Sequence, residues 1–472
     1  MPKKRPASAA SSLTHEVVSP VSGRVLSRVS LSGRDTIMSQ LASVLENRLE
    51  METEDVFACL GRLREEIHSR SAVISEVMMM ETGFIVRDCR DTLDGALEFL
   101  ADFEQHCREL SDVGPVIPHS YSGQNGRNMR IRFRPVRSVA AVVPQNASLG
   151  LALIVIASAL RVGARAIVRP SLQCATSGEI LSEIVQASGF PAGSVLVVNS
   201  LASDFLNACY ASPRVQLIHY IGSNRYGADV LKDSFLAGKT CLIDGQGNGL
   251  LYVDASFPRE EALRLITTGV TRFNGETCTS VNGILVERSI YKSLRDDLVS
   301  AFRALRVGDP SEASTDLGPL FSPGQADALE EALSGTRRLC GGREEGAYFR
   351  PALVEGVQLG QRLASDGLYG PAAWIQPADA SEAIDWVQAN TFPLSDTILS
   401  HRPSSIRDFA MGSPAPRICV DEDPTLESMF EPWGGYPPSG MNPVSLWIEK
   451  YRQPFQIDAT KDVDLLPLLK AG

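Results

Sequence analysis

The chain has 472 residues, which is too long for one small core, so we expect two or three lobes. Hydrophobic residues make up 44% and charged residues 21%, as in ordinary soluble globular proteins. The net charge of −11 argues against a general surface for nucleic acids or anionic membranes.

The first 19 residues are basic and rich in Ser and Ala, without the apolar core of a secretory signal, and we expect a disordered tail. Residues 20–31 alternate around a glycine, as in an exposed hairpin. From Asp35, a plausible N-cap, to Arg108 the pattern is helical and is punctuated by Glu81-Thr82-Gly83. Ser120–Arg134 begins with turn formers and then alternates, which predicts a projecting arm.

From Ser138 the chain alternates strand and helix, and the strands are almost continuously apolar. That pattern predicts a parallel sheet covered by helices on both faces. Such sheets bind ligands at the carboxyl ends of strands, beside helix N-termini. The loops Pro144–Ser148 and Gly222–Asn224 follow strands of this kind. The longest apolar run, Leu149–Leu160, has 12 residues and is too short to cross a bilayer, so we interpret it as a buried helix.

The cysteines indicate reduced thiols and a cytoplasmic protein. There are nine, an odd count, with no CxxC pair and no neighbouring His cluster, which argues against a disulfide framework or a zinc site. No metal is expected. The positions are Cys59, Cys89, Cys107, Cys174, Cys209, Cys241, Cys278, Cys340 and Cys419.

Cys278 has the sequence context of a nucleophile. It lies between a helical pattern over Pro258–Thr271 and a strand-like run over Val281–Val286, close to Gly275. Regular elements would fix it without enclosing it. The alternative is that it fills a core position as a small apolar residue, as most free cysteines do.

Short motifs along the chain resemble, in the same order, those of the aldehyde dehydrogenase superfamily. The resemblance covers residues 20–457. The matching motifs are Glu81-Thr82-Gly83, Pro144-Gln145-Asn146, Val168-Arg169-Pro170-Ser171, Gly189-Phe190-Pro191-Ala192-Gly193, Val215–Ser223, Asn274–Cys278, Leu368-Tyr369-Gly370-Pro371 and Pro432-Trp433-Gly434-Gly435.

The resemblance implies an α/β fold with two Rossmann-like parallel-sheet domains and a small β oligomerisation arm. The nucleotide-binding domain would comprise residues 20–116 and 136–246, and the catalytic domain residues 247–449. The arm would comprise residues 117–135 and 450–457, leaving a tail at 458–472. Members are commonly homodimers or homotetramers, and no nucleic-acid or membrane partner is expected.

The resemblance also implies NAD(P)-dependent oxidation of an aldehyde to a carboxylic acid. Cys278 would form the thiohemiacetal and thioester, and Asn146 with the Cys278 backbone N–H would hold the oxyanion. The implied cofactor-binding residues are Pro144, Gln145, Arg169, Ser171, Gly222, Ser223, Gly245 and Tyr369. Arg169 replaces the usual lysine, and this favours NADP over NAD because arginine binds phosphate through two N–H groups.

The sequence departs from the family at the base that releases the thioester. Glycine-anchored alignment places Ile243 there, whereas counting back from Cys278 places Asp244 there. Asp244 would act through a water. If Ile243 holds the place, the acyl group could pass to coenzyme A. Glu276 also replaces a glutamine, and we expect its charge to disfavour the Cys278 thiolate. Because so many positions are altered, an alternative is that the protein is a family member that has lost catalysis and only binds a partner.

Overall fold

The computed structural model describes residues 13–46, 49–108, 113–119, 127–432, 434–442 and 446–459. The strands are β1 Leu13–Val18, β2 Val25–Leu31, β3 Val113–His119, β4 Arg127–Pro135, β5 Ser138–Val142, β6 Arg165–Arg169, β7 Val195–Val197, β8 Leu217–Ile221, β9 Thr240–Asp244, β10 Gly249–Val253, β11 Val281–Val286, β12 Arg337–Arg343, β13 Phe349–Glu355, β14 Ala372–Pro377, β15 Ser395–Leu399, β16 Arg417–Val420 and β17 Arg452–Ala459.

The helices connect these strands and cover both large sheets. They are α1 Arg34–Val44, α2 Thr53–Ser69, α3 Ser71–Thr82, α4 Val86–Cys107, α5 Ser148–Arg161, α6 Ala175–Ala187, α7 Ala202–Ala211, α8 Asn224–Leu236, α9 Arg259–Thr271, α10 Tyr291–Ala304, α11 Pro323–Ala332, α12 Arg362–Ser365, α13 Ala380–Gln388, α14 Pro403–Gly412 and α15 Trp447–Lys450. In the described part of the chain, no helix is both long and apolar enough to cross a membrane.

The first described strands form a hairpin that reaches further toward the N-terminus than expected. β1 pairs antiparallel with β2, with Leu13 opposite Leu31. The prediction of a tail through residue 19 is therefore wrong for residues 13–18, which form β1; residues 1–12 lie outside the described residues. Asp35 is also not the N-cap of α1. Gly33 takes that position, and Asp35 lies in the first turn, where its charge favours the helix dipole.

A parallel sheet follows, with strand order β7–β6–β5–β8–β9. Its strands β5, β6 and β8 are buried along their whole length, which explains their continuous apolar runs. Successive strands are added on one side of β5 and then on the other, so the order reverses between β5 and β8. Such a reversal opens a crevice at the carboxyl ends of the two strands. The loops after β5 and β8 are the two predicted from sequence.

The second sheet has the order β12–β13–β14–β11–β10–β15–β16 and is parallel apart from β12. Residues 245–248 alone connect β9 to β10, so the amino edge of this sheet faces the carboxyl edge of the first. Gly249, at the start of β10, lies in register with Val281 at the start of β11. Cys278 lies in the turn that leads into β11, three residues before Val281. It therefore lies at the junction of the two sheets.

The predicted arm is a separate antiparallel sheet with the order β17–β4–β3. It begins at Val113 rather than residue 117, and β17 extends to Ala459 rather than 457. The expected C-terminal tail falls on residues 460–472, which lie outside the described residues, apart from Asp458 and Ala459, which belong to β17.

Candidate active site

A cavity of about 1180 Å³ lies between the two large sheets. Every residue that the sequence analysis assigned to catalysis or cofactor binding lines it: Pro144, Gln145, Asn146, Arg169, Ser171, Gly222, Ser223, Asp244, Gly245, Cys278 and Tyr369. These residues come from the carboxyl ends of the first sheet and the loop before β11, except Tyr369, which comes from the segment before β14. The strand arrangement therefore brings the candidate nucleophile and the candidate cofactor residues into one space.

The loop that carries Cys278 has a strained backbone. After α9, Phe273 and Asn274 have positive φ angles of 51° and 55°, a region that costs energy for residues with a Cβ. Asn274 is buried, and its side-chain amide donates to the carbonyl oxygens of Gly83 at 3.1 Å and Pro319 at 3.0 Å. Its oxygen accepts from the Gly318 N–H at 3.0 Å. These bonds hold the loop in its strained path.

The Glu81-Thr82-Gly83 motif supports this loop from behind. Gly83 ends α3 with φ 76°, a conformation that favours glycine, and this turn directs its carbonyl oxygen toward Asn274. The Glu81 carboxylate accepts from the Thr176 N–H at 2.8 Å and the Ser177 hydroxyl at 2.5 Å. The motif thus joins α3 to α6 and to the nucleophile loop, which is a structural role.

Gly247 allows the connection between the sheets to pass directly against the nucleophile loop. A Cβ built on Gly247 would lie 2.2 Å from the carbonyl oxygen of Cys278, closer than any real contact. Any side chain at position 247 would therefore displace the loop.

The Cys278 side chain is set in an environment that disfavours its charged form. The residue is half-buried, and burial raises the pKa of its thiol; the carboxylates of Glu427 and Asp244 raise it further. Glu276, which the sequence analysis held responsible, is fully buried and turned away. Its Oε1 accepts from the Phe321 N–H at 3.2 Å, and burial raises its pKa well above the usual range. The sequence analysis was right about the direction and wrong about the residue.

Asp244 reaches the cavity, whereas Ile243 does not. Ile243 packs in the core on the opposite face of β9, in a cluster with Tyr220 and Val230. Asp244 Oδ2 accepts from His219 Nε2 at 2.5 Å, and its two oxygens accept from Asn442 Nδ2 at 2.9 and 3.0 Å.

The contact between Asp244 and His219 continues into the core. His219 is fully buried, and its Nδ1 lies 2.8 Å from the hydroxyl of Tyr451, itself buried. Since the carboxylate can only accept, Nε2 carries the imidazole proton and the tyrosine donates to Nδ1. The sequence analysis missed His219, Asn442 and Tyr451, because nothing in local spacing joins residues 219, 442 and 451.

The N-terminus of α8 opens onto the cavity at the crevice between β5 and β8. Ser223 caps it by accepting from the Arg225 N–H at 3.3 Å. Gly245 lies so close that a Cβ there would come within 1.7 Å of Asn224 Oδ1, so residue 245 must lack a side chain. The helix dipole at this point suits the pyrophosphate of a dinucleotide, and the cavity has room for one.

Arg169 lies deeper at the end of β6. Its Nε and one Nη donate to the Ser200 carbonyl oxygen at 3.0 and 2.9 Å, and burial lowers its pKa to about 10. It therefore remains charged near neutral pH and is held in a fixed orientation.

The sequence analysis also missed a polar group across the cavity from Asp244. Glu427 lines the cavity, and the Thr279 hydroxyl donates to its carboxylate. Burial raises the pKa of Glu427 to about 8, against the opposing charge of Arg417, whose guanidinium lies 3.9 Å away. Arg417 also pairs with Glu431 at 3.2 Å. A cluster of five acidic residues before Pro432 was the available signal: Asp421, Glu422, Asp423, Glu427 and Glu431.

Comparison with known proteins assigns the family. Residues 7–456 match the model of the aldehyde dehydrogenase family. The chain belongs to that family. It is an NAD(P)-dependent oxidoreductase that acts on small aldehydes, and the predicted family and fold class are confirmed.

The relatives of this aldehyde dehydrogenase are distant. It is 24% identical over 393 residues to the succinate-semialdehyde dehydrogenase [NADP(+)] of Mycobacterium avium, covering 80% of this chain and 82% of that one. It is 23% identical over 438 residues to the sulfoacetaldehyde dehydrogenase of Neptuniibacter caesariensis, covering 91% and 95%. The crystal structure of an NAD-dependent aldehyde dehydrogenase from Sinorhizobium meliloti superposes with a TM-score of 0.88 at 22% identity, covering 96% and 93%.

Metal chemistry has no counterpart in the described geometry of this enzyme. Among the residues that the structure describes, no group of three or more His, Cys, Asp or Glu side chains is arranged to hold a metal ion.

Proposed function

We propose that this aldehyde dehydrogenase oxidises its substrate through a covalent thioester on Cys278. The observation that carries the proposal is that Cys278 and Asn146 line one cavity that extends to the N-terminus of α8. In this proposal the first parallel sheet and its helices form the nucleotide-binding part, and the second sheet forms the catalytic part.

The first step is attack of the Cys278 sulfur on the aldehyde carbonyl carbon. The thiol gives its proton to solvent water as the sulfur bonds to the carbonyl carbon, and the carbonyl π electron pair moves onto the oxygen, which becomes an oxyanion. In this proposal the Asn146 amide and the Cys278 backbone N–H donate to that oxyanion.

Ser223 and the first turn of α8 would hold the dinucleotide pyrophosphate, with Gly222 and Gly245 giving it space. When bound, the nicotinamide ring accepts the hydride that converts the thiohemiacetal to a thioester. Arg169 is fixed near the adenosine side by its bonds to Ser200, and its charge supports a preference for the 2′-phosphate of NADP. Pro144, Gln145, Ser171 and Tyr369 would complete the binding surface.

Release of the acyl group proceeds by hydrolysis in this proposal. Of the two candidates from sequence, Asp244 lines the cavity, whereas Ile243 packs in the core. The alternative, transfer to coenzyme A, is distinguished by whether turnover requires that thiol.

The substrate side of the cavity favours an aldehyde without negative charge. The relatives' names specify succinate semialdehyde and sulfoacetaldehyde, which are anions, and anions need unpaired cationic groups. Here Arg272 pairs with Asp91 at 2.8 Å and Arg417 with Glu431. Further carboxylates line the same space: Glu98, Asp102 and Glu427.

The arm supports a homodimer or homotetramer. β17 is an edge strand of its sheet, with one side available for pairing with another strand.

The test is a screen of purified protein with NAD⁺ and NADP⁺ against neutral, cationic and acidic aldehydes. Formation of reduced cofactor that Cys278→Ala abolishes is the expected result, and formation that persists in that variant would contradict the proposal. A thermal-shift measurement tests the alternative of a family member that has lost catalysis. For such a protein, neither dinucleotide at high excess would raise the melting temperature.

A further inference from the structure

We propose that Glu427, rather than Asp244, is the general base that directs water onto the Cys278 thioester. This assignment rests on the proposed function and names the group that performs its last step. None of the motifs that resemble the family includes Glu427. It is identified by its position in the lining of the cavity.

Glu427 is held beside the nucleophile by the neighbouring residue. The Thr279 hydroxyl, next in the chain to Cys278, donates to the Glu427 carboxylate. The negative charge of Glu427 is one of those that raise the pKa of the Cys278 thiol. Glu427, Thr279 and Cys278 line one cavity, and Arg417 Nη1 lies 3.9 Å from Glu427 Oε1.

Asp244 is in a different situation, because its carboxylate already holds buried side chains in place. One oxygen accepts from His219 and Asn442, and the other accepts from Asn442. His219 is in turn held by Tyr451 in the core. Protonation of Asp244 would weaken the bonds that fix these buried side chains. We infer that it positions His219 and Asn442.

Glu427 can change its protonation state near neutral pH. The groups that face it are Arg417, Glu431, Asp423 and Thr279, and together with burial they place its pKa at about 8. A base is most effective when its pKa lies near the working pH. Arg417, 3.9 Å away, compensates part of the charge that develops on ionisation.

The step balances without a further reactant. The Glu427 carboxylate takes one proton from a water as the water oxygen bonds to the thioester carbonyl carbon, giving a tetrahedral oxyanion. That intermediate collapses, the C–S bond breaks, the carboxylic acid leaves and the sulfur takes back a proton.

The experiment isolates this step from the cofactor. p-Nitrophenyl acetate acylates a thiol without any redox step, so the full-length enzyme is mixed with it in the absence of dinucleotide. The rapid release of nitrophenol reports acylation, and the following steady state reports hydrolysis of acetyl-Cys278. Intact-protein mass spectrometry and peptide mapping report how much enzyme carries acetyl on Cys278.

Glu427→Gln should keep the rapid phase, lose about 100-fold or more of the steady-state rate, and accumulate acetyl-Cys278. Glu427→Asp should retain an intermediate rate. Thr279→Val, which removes the hydroxyl that orients the carboxylate, should shift the same two readouts in the same direction by less. Glu422→Gln is the matched control, since Glu422 is exposed in the same loop, and it should behave as wild type.

A Glu427→Gln variant with the wild-type steady-state rate would overturn the assignment, as would accumulation of acetyl-Cys278 in Asp244→Asn but not in Glu427→Gln. A wild type that shows no rapid phase and no adduct would instead contradict the proposed function itself.

The rate of alkylation by iodoacetamide distinguishes two roles for Glu427: deprotonation of water and deprotonation of the Cys278 thiol. Removing the negative neighbour should lower the pKa of the Cys278 thiol, so Glu427→Gln should be alkylated at least as fast as wild type at each pH. Slower alkylation would mean that Glu427 deprotonates the thiol, and would overturn the assignment.

Discussion

The side-chain amide of Asn274 donates to the carbonyl oxygen of Gly83 at 3.1 Å, joining two motifs separated by 191 positions in the chain. Gly83 belongs to the early motif that resembled the family, and Asn274 opens the segment that ends at Cys278. This bond links the roles of the two motifs. The Gly83 carbonyl oxygen accepts from the Asn274 side chain, and the bond stabilises the positive φ angles of Phe273 and Asn274.

Replacing Asn274 by alanine should therefore destabilise the protein. The change leaves the buried carbonyls of Gly83 and Pro319 and the Gly318 N–H unpaired, and puts a less tolerant residue at φ 55°. We expect a loss of about 3 kcal/mol in the free energy of unfolding, measured by urea denaturation. Asn207→Ala, at an exposed position on α7, should change it by less than about 0.5 kcal/mol; equal effects would contradict the account.

Asn146→Ala should slow catalysis while leaving the fold intact. The variant loses one donor to the oxyanion, which elsewhere costs about 10²–10³ in kcat. KM for the aldehyde should change little, because the bond forms only when the oxyanion does. Stopped-flow measurement of cofactor reduction distinguishes these parameters, and a pure KM effect would argue against an oxyanion role.

The rate of acyl-enzyme hydrolysis should increase with pH. The pKa of Glu427 is raised to about 8, so its carboxylate is mostly protonated at neutral pH, and the rate should rise with pH and level off above about 8. Arg417→Gln removes the positive neighbour that lowers this pKa, and should shift the rise to higher pH. The steady-state phase with p-nitrophenyl acetate gives the profile. A shift to lower pH would contradict the assignment.

Substrate charge should affect kcat/KM in the order set by the cavity wall. Neutral and aminated aldehydes of similar length should exceed succinate semialdehyde by about tenfold, since an uncompensated carboxylate beside the carboxylates of Glu98 and Asp102 costs about 1.4 kcal/mol. Comparison at low salt, where surface charges are least screened, gives the largest contrast. Faster oxidation of succinate semialdehyde would show that Arg417 or Arg272 leaves its partner on binding.

Arg169 should control the choice between the two dinucleotides. Arg169→Gln removes the charge while keeping a donor for the Ser200 carbonyl, and should lower kcat/KM for NADP⁺ about tenfold more than for NAD⁺. Steady-state kinetics with each cofactor tests this, and Arg165→Gln on the same strand is the comparison variant. An equal loss for both cofactors would assign Arg169 to the fold alone.

Local pattern was enough to locate the parallel sheet, the arm and the two loops at the β5–β8 crevice, because continuous apolar strands and turn residues are local signals. The resemblance to the family, together with the local context of Cys278, supplied Cys278, Asn146 and the cofactor residues, which line one cavity. Local pattern could not choose between Ile243 and Asp244, since only the facing of β9 decides that, nor could it find Glu427 or His219. Their roles depend on contacts across the chain, and a carboxylate near Cys278 in sequence, Glu276, proved to point elsewhere.

The raised pKa of the Cys278 thiol has a consequence beyond catalysis. Peroxides and electrophiles attack the thiolate, so a sulfur that keeps its proton at rest reacts slowly with them. The enzyme would thus carry its reactive atom through oxidative stress in a protected state. The sulfur would react with peroxides and electrophiles only during turnover of an aldehyde. The rate of inactivation would then depend on the number of turnovers and not on the time of exposure.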